Sequence, residues 1–124
     1  MGIRPEGALK RKFRLTRSTD FMRVRRLGKS LAHPLVVLIA LPAENEASRV
    51  AVAAGRSMGK AVDRNRAKRR LREAIRPLIP AIAPGWHLIL LARRPLAEAE
   101  FPEIQQALAA LLHRARILKD PHED

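Results

Sequence analysis

The sequence predicts an α+β fold, a two-layer sandwich in which helices pack on one sheet. Three observations lead to this prediction. Segments typical of helices and strands follow one another in the order helix, strands, helix, strand, helix. The apolar fraction of 47% is enough to bury a core. A length of 124 residues fits one compact domain, for which about 100–150 residues are common.

The first element is a short helix that follows a basic N-terminal segment. Residues 1–17 contain three glycine or proline residues and no sustained periodicity, so we expect a flexible arm. Ser18 is suited to cap a helix, Asp20 is favourable in its first turn, and Gly28 is a plausible end. The apolar residues of this segment fall near one side of the helix: Phe21, Val24 and Leu27.

The next elements are strands. Residues 29–41 have the composition of extended chain, and Pro34 predicts an edge strand or a break between two strands. The continuous apolar run 36–41 is typical of a strand that is covered on both faces. A second strand is expected at residues 49–55. Because the intervening residues 42–48 are polar, a hairpin is the simplest connection between the two strands.

The second half of the chain predicts helix, strand and helix. A loop at 56–60 precedes a helix at about 61–76, which ends in a proline-rich linker. Residues 86–93 form the next strand, and Pro102 suits the first turn of a last helix. Apolar residues keep the helical period in that segment: Ile104, Leu108, Leu111, Leu112, Ala115 and Leu118. We therefore divide the chain into an arm (1–17), one domain (18–119) and a polar tail (120–124).

The charge balance indicates the kind of partner. The chain has 25 lysines and arginines against 12 acidic residues, a net charge of +13, and a pI near 11.7. Such an excess repels itself unless a polyanion neutralises it, and nucleic acid is the obvious candidate. A membrane surface also carries negative charge, but no segment is typical of a signal peptide or a membrane span. The absence of cysteine excludes disulfides and thiolate metal sites. We expect a cytoplasmic protein without a membrane partner.

The helix predicted at 61–76 carries the strongest functional signal. From Lys60 to Arg76 there are eight cations and two acids. At roughly 100° per residue, one arc is apolar and the opposite side is almost entirely cationic. Like charges at i, i+4 spacing destabilise an isolated helix by about 0.2–0.5 kcal/mol per pair, so a surface selected for solubility alone would include acids. The pattern therefore favours a bound polyanion over a merely solvated face. The cations at this spacing are Arg64, Lys68, Arg72 and Arg76.

Residues 55–76 closely resemble the signature of the bacterial ribonuclease P protein family. The Arg-Asn-Arg-x-Lys-Arg-x-x-Arg core of that signature is matched in spacing, and it is preceded by Gly59 and Lys60 as in the family. The similarity extends over about residues 9–118 and includes the opening Phe13-Arg14-Leu15. The core positions are Arg64, Asn65, Arg66, Lys68, Arg69 and Arg72.

The resemblance implies both a fold and a function. The family has an α+β sandwich similar to a domain of a small-subunit ribosomal protein, with a left-handed strand-helix-strand crossover through the signature helix. Its members are subunits of ribonuclease P and bind the catalytic RNA together with the 5′ leader of precursor tRNA. The RNA, with magnesium ions, cleaves the phosphodiester bond that gives the mature tRNA 5′ end. The implied cofactor is therefore Mg²⁺, bound mainly by the RNA.

The resemblance also implies site residues. The contacts to the catalytic RNA are Arg56, Ser57, Lys60, Arg64, Asn65, Arg66, Lys68, Arg69 and Arg72. The leader cleft is implied to include Arg14, Phe21, Arg25 and Val36. This sequence departs from the family at cleft positions that are often aromatic, where it has Arg25, Val36 and Ile39. Phe21 could stack on a leader base or pack in the core, and the sequence leaves both interpretations open.

No catalytic centre borne by the protein is apparent in the sequence. The four histidines lack metal-ligand spacing, the serines lack an evident base, and the acids are scattered. This pattern suits a protein whose RNA partner performs the chemistry. Two other classes remain as alternatives. A non-enzymatic RNA-binding protein, such as a ribosomal or assembly factor, fits the charge but not the signature. A DNA-binding regulator would need base-reading side chains and usually a dimer interface, so DNA is not an expected partner.

Overall fold

The computed structural model describes residues 10–119 and has the predicted α+β architecture, a four-stranded sheet with three α-helices. The strand order is β1-β2-β4-β3. Neighbouring strands are antiparallel except for β3 and β4, which are parallel and are joined through α2. The left-handed sense of this crossover stays a prediction. The elements are β1 (Lys29–Ala32), β2 (Val36–Pro42), β3 (Arg49–Ala54), β4 (Trp86–Ala92), α1 (Ser18–Leu27), α2 (Ala61–Ile75) and α3 (Phe101–Arg114).

The predicted hairpin between β2 and β3 is wrong, because β4 lies between them. Strand β4 is apolar on both faces and nearly all buried, so it takes a central position. Strand β3 is short, begins with Arg49 and is rich in alanine, and it forms the edge. The loop between β2 and β3 crosses the start of β4. There the backbone N–H of Ala43 donates to the carbonyl of Gly85, and Gly85 N–H donates to the carbonyl of Glu46.

One face of the sheet carries the larger core. Helices α2 and α3 cover it, and the side chains that alternate along the strands point toward them. Leu38 of β2 and Leu90 of β4 are fully buried there against Leu71 of α2 and Leu108 of α3. Helix α3 ends earlier than its apolar period predicts. It stops at Arg114, and Leu118 instead forms a bridge with Ile82.

The opposite face has a much smaller core beneath α1. Its buried residues are Leu15, Val24, Ile39 and Ile89. Around them lie half-buried apolar residues of the helix and the strands: Phe21, Val37, Leu41, Ala51 and Ala53. A single ten-residue helix is too narrow to cover four strands, so part of this face stays open.

The N-terminal segment differs from the predicted free arm in the residues that the structure describes. Residues 11–13 form a 3₁₀ turn, and Leu15 is buried with its N–H donating to the carbonyl of Val50. This contact covers part of the exposed edge of β3, which would otherwise present unpaired backbone groups. Residues 1–9 of the predicted arm and the predicted tail at 120–124 lie outside the described residues.

The ends of α1 are formed differently from the prediction. Ser18 is the first helical residue and makes no capping hydrogen bond, since Arg17 occupies the N-cap position. Gly28 ends the helix as predicted, but with a negative φ of −71°. The reason for glycine is close approach. A Cβ atom at this position would lie 2.5 Å from the carbonyl oxygen of Val24 and 2.7 Å from Cγ2 of Ile39.

Candidate RNA-binding site

The loop before α2 is held by one buried side chain and by one glycine with a positive φ. Residues 56–58 form a 3₁₀ turn in which Met58 is buried in the larger core. Gly59 has a φ of +103°, a conformation that side chains rarely adopt, and it leads directly into the helix. The role of Met58 as an anchor is not evident from the sequence, since a single methionine in a polar loop has no period to identify it. The predicted contact residues of this loop are all exposed: Arg56, Ser57 and Lys60.

Helix α2 presents polar and basic side chains on its outer surface because its apolar arc is used by the core. Ala67, Leu71, Ala74 and Ile75 are buried against the sheet and α3. Three of the predicted contact residues lie on the exposed side: Asn65, Arg66 and Arg69. Together with the three loop residues, they make six exposed predicted contacts between positions 56 and 69.

Arg70 has a different role from its neighbours. Its Nη1 donates to the carbonyl of Leu96 at 2.9 Å, and its Nη2 donates to the carbonyl of Ala99. This guanidinium therefore satisfies backbone acceptors of the segment before α3. We assign Arg70 to the fold, and it is absent from the predicted contact set.

The remaining three predicted contacts form a stripe along one side of α2. Arg64, Lys68 and Arg72 are half-buried, whereas the helical period predicts that the cations of this helix lie on the side opposite the apolar arc. The difference has a geometric cause. Arg72 lies beside the edge of β3, where it lines a hollow with residues 50–52 of that strand. Because positions four apart share one side of a helix, Arg64 and Lys68 continue the same stripe.

Arg72 and Arg14 come together at this hollow, although 58 positions separate them in the sequence. Burial, and after it the positive charge of Arg14, lowers the pKa of the Arg72 guanidinium from its usual value. The Nε of Arg14 is buried without a hydrogen-bond partner, and so is that of Arg64. Two guanidinium groups at one hollow, one of them with an unused Nε donor, are suited to a phosphate, which accepts several charge-assisted hydrogen bonds.

The protein supplies little anionic charge to these cations. Within residues 10–119, the one basic and acidic side-chain pair within 4.0 Å is His87 with Glu46, at 3.8 Å, and neither residue belongs to α2. No lysine or arginine of that range has a carboxylate partner at such a distance. The stripe and the exposed surface of α2 therefore remain available to an external anion.

Two of the four predicted cleft residues lie on α1, and a third lies at the edge of β3. Phe21 is half-buried and packs against the small core, Arg25 is exposed on α1, and Arg14 lies at the edge of β3. Phe21 thus has core contacts and an exposed part at once. Its position fits both interpretations that the sequence left open.

Val36 is wrongly predicted as a cleft residue. It is fully buried in the larger core, on the opposite side of the sheet from α1. Successive side chains of a strand point to opposite faces, so Val36 cannot share the cleft with Ile39. The residue of β2 that does lie beside Ile39 on the α1 face is Val37, which is half-buried. The alternation of side chains along β2 is enough to show that Val37, and not Val36, lies on the α1 face.

These features define a class of protein: a small, basic α+β protein with cations along α2 and at the edge of β3, and with half-buried apolar surface beside α1. Within residues 10–119 no group of three or more histidine or acidic side chains could hold a metal ion. In the same range no helix is both long and apolar enough to cross a membrane.

Comparison with known proteins gives the family. The ribonuclease P family model matches residues 9–116, and the chain belongs to this family. It is 41% identical over 112 residues to the ribonuclease P protein component of Roseiflexus castenholzii, covering 90% of this chain and 92% of that protein. Its place in the family makes it a bacterial ribonuclease P subunit, part of the ribonucleoprotein that cleaves tRNA precursors, without catalytic residues of its own.

Solved structures agree in fold. The ribonuclease P protein of Thermotoga maritima superposes with a TM-score of 0.72 at 30% identity, over 82% of this chain and 96% of that one. The protein from Staphylococcus aureus gives a TM-score of 0.75 at 26% identity, over 86% and 98% of the two chains. The non-enzymatic RNA-binding and DNA-regulator alternatives are therefore not supported.

Proposed function

We propose that the loop at 56–60 and helix α2 bind the RNA subunit of ribonuclease P. The observation that carries this proposal is the accumulation of cations without acid partners along α2, including the Arg14–Arg72 pair. An RNA backbone would neutralise them and release its condensed counterions. The proposed contacts are Arg56, Ser57, Lys60, Arg64, Asn65, Arg66, Lys68, Arg69 and Arg72.

We further propose that the open part of the α1 face binds the single-stranded 5′ leader of precursor tRNA. The half-buried apolar residues offer a floor for a base, and Phe21 offers a ring on which it can stack. Arg25 on the helix and Arg14 at the edge of β3 supply positive charge for leader phosphates. Since Arg14 also adjoins Arg72, the two surfaces meet at the edge of β3.

Magnesium belongs to the RNA in this proposal. The RNA supplies the oxygen ligands that Mg²⁺ prefers, and the protein's part is to bind and orient the RNA partners. By lowering the repulsion between precursor tRNA and the catalytic RNA, the protein reduces the magnesium concentration that cleavage requires. We place this activity in the cytoplasm, where a bacterial protein meets both RNAs.

The test is reconstitution with ribonuclease P RNA and precursor tRNA at low magnesium, read out as cleavage and as the salt dependence of RNA binding. We expect the wild-type protein to stimulate cleavage. Arg69→Ala should weaken binding and reduce the salt slope by about one, because it removes about one phosphate contact. Lys29→Ala is the matched control, since it removes one exposed charge from β1 at the other edge of the sheet.

Two outcomes would contradict the proposal. A folded wild-type protein that neither binds the RNA nor stimulates cleavage would exclude the function as a whole. Equal salt slopes for Arg69→Ala and Lys29→Ala would exclude α2 as the contact surface while leaving the function in place.

A further inference from the structure

A cavity of about 490 Å³ lies beside the edge of β3, next to the C-terminal end of α2. Its volume falls in the range of about 300–1,000 Å³ in which proteins hold small organic groups. It is separate from the hollow of the Arg14–Arg72 pair, and Val50 of β3 contributes to both. None of its lining residues belongs to the predicted contacts, so the proposed RNA surface does not account for it.

The inside of this cavity is apolar. Its walls come from Phe13 of the N-terminal turn, from Ile79 and Pro80 after α2, and from Ile82. The nearest hydroxyl is already used, because Ser48 Oγ donates to the carbonyl of Ala83 at 2.6 Å and accepts from Trp86 N–H at 3.0 Å. An occupant is therefore held through its flat apolar surface rather than through hydrogen bonds to its edge.

The rim of the cavity is cationic. Lys10, Arg76 and Lys119 approach it from three separate segments of the chain, and all three are exposed. None of the described lining residues is acidic. Arg76 also lies four positions after Arg72, so the stripe Arg64–Lys68–Arg72 leads along β3 to this rim. The cavity is thus continuous with the surface proposed for RNA.

We propose that this cavity holds one unpaired nucleotide of the RNA that binds along α2. Its base enters between Phe13 and the Ile79–Pro80 wall, and its phosphates lie among the three rim cations. An apolar slot surrounded by positive charge matches the two parts of a nucleotide, a planar base with a π-face and a phosphodiester anion. Because no free polar group reaches the base edge, the site tolerates any base. This inference rests on the proposed function.

The first experiment fills the cavity. Ala47 is exposed at its rim, so Ala47→Trp places a ring in the slot without removing a core contact. We expect the affinity for ribonuclease P RNA to fall roughly five- to a hundredfold, the range for losing one base stack. Ala110→Trp on the exposed side of α3 is the control and should bind like wild type. Lys119→Glu provides a second variant that leaves the slot intact, and it should weaken binding and flatten the salt dependence.

The second experiment maps the RNA, and it separates this inference from the proposed function. The chain has no cysteine, so a single introduced thiol can carry an iron–EDTA group that cleaves nearby nucleotides. Position 47 reports on the cavity. Val62→Cys reports on α2, where that side chain is 71% exposed, and Ser30→Cys on the opposite sheet edge is the negative control. We expect cleavage of a few unpaired nucleotides from Ala47→Cys, cleavage from position 62, and none from position 30.

Four results would overturn the inference. Cleavage from position 62 without cleavage from position 47 rejects the cavity as an RNA site while the proposed function stands. Cleavage from neither position rejects both. Wild-type affinity in Ala47→Trp rejects the base slot, and so does a loss of affinity in that variant without cleavage from position 47.

Discussion

The two faces of the sheet differ in how completely they are covered. Toward α2 and α3, twenty residues form one buried cluster that includes most of the large aliphatic side chains. Toward α1, four residues are buried and more apolar residues are half-buried than buried. The first face therefore stabilises the fold. The second keeps apolar surface accessible, and this is the surface on which we propose that the leader binds.

The unequal covering of the two faces also explains where the positive charge lies. Helix α2 uses its apolar arc for the larger core, so only its outer side and its β3 side remain for cations. Helix α1 buries only Val24 fully and leaves Met22 and Leu27 more than half exposed. The RNA-binding surface that we propose on α2 is thus supported by the larger core, whereas α1 is held by fewer buried contacts.

The largest expected effect separates the two cores directly. Leu90 and Ile89 are adjacent in β4, both fully buried, and they point to opposite faces. Each change to alanine should lower the free energy of unfolding by about 2–5 kcal/mol, with Leu90→Ala at the upper end because its close-packed surroundings cannot collapse. Urea denaturation measures both values. Equal or reversed losses would mean that the α1 face is as well packed as the other.

Gly28→Ala tests how tightly α1 must approach the sheet. The added Cβ meets a backbone oxygen at 2.5 Å, so α1 has to shift, at a cost of about 1–3 kcal/mol. Gly55→Ala is the matched control, because no atom lies within 4 Å of its Cβ and the unfolded chain loses freedom. Thermal unfolding should therefore separate a destabilised variant from a neutral or slightly stabilised one. Two variants of equal stability would refute the close-approach explanation.

Phe21 distinguishes stacking from packing on the α1 face. Phe21→Leu keeps an apolar side chain against the small core but removes the ring, so it isolates stacking, which is worth about 1–3 kcal/mol per base. We expect it to weaken binding of leader-bearing precursor tRNA more than binding of mature tRNA. Phe21→Ala should add a loss of stability. If Phe21→Leu affects both tRNAs equally, the ring serves only the core.

Much of the fold could be predicted from local patterns. The break at Pro34, the length of α2 and the apolar face of α3 follow from residue type and period, since these are properties of neighbouring residues. The pairing of strands does not. The sequence between β2 and β3 favours a hairpin, but the partner of β2 is decided by β4, which needs burial on both faces and lies more than forty positions further on.

The residues of the candidate site also differ in whether local patterns predict them. Exposed contacts such as Asn65 and Arg69 could be predicted from the signature and the helical period. The prediction for Val36 was wrong because a motif can locate a strand without showing toward which face of the sheet each side chain points. That follows from the alternation along β2, which places Val36 and Ile39 on opposite faces. The proximity of Arg14 to Arg72 depends on the N-terminal segment pairing with β3, and nothing near either residue predicts it.

The smallest expected effect concerns the Arg14–Arg72 pair. A substitution of Arg14 should act in opposite directions on the stability of the protein and on its affinity for RNA. Arg14→Met keeps the apolar stem but removes a guanidinium whose Nε is buried without a partner and whose charge lowers the pKa of Arg72. A cation whose pKa is lower in the folded than in the unfolded state opposes folding while it is charged. Removing the neighbouring charge should therefore leave the free energy of unfolding unchanged or raise it by a few tenths of a kcal/mol, a small gain because both groups are partly solvated.

In RNA binding the same variant should lose affinity and about one unit of salt slope, since a phosphate at the hollow loses one of two partners. Urea denaturation measures the change in the free energy of unfolding, and a salt titration measures the change in RNA affinity. A variant that is both less stable and unchanged in RNA binding would show that Arg14 serves the fold, and the two surfaces would then not meet at the edge of β3. Opposite signs would identify a charge that the folded protein tolerates because RNA neutralises it.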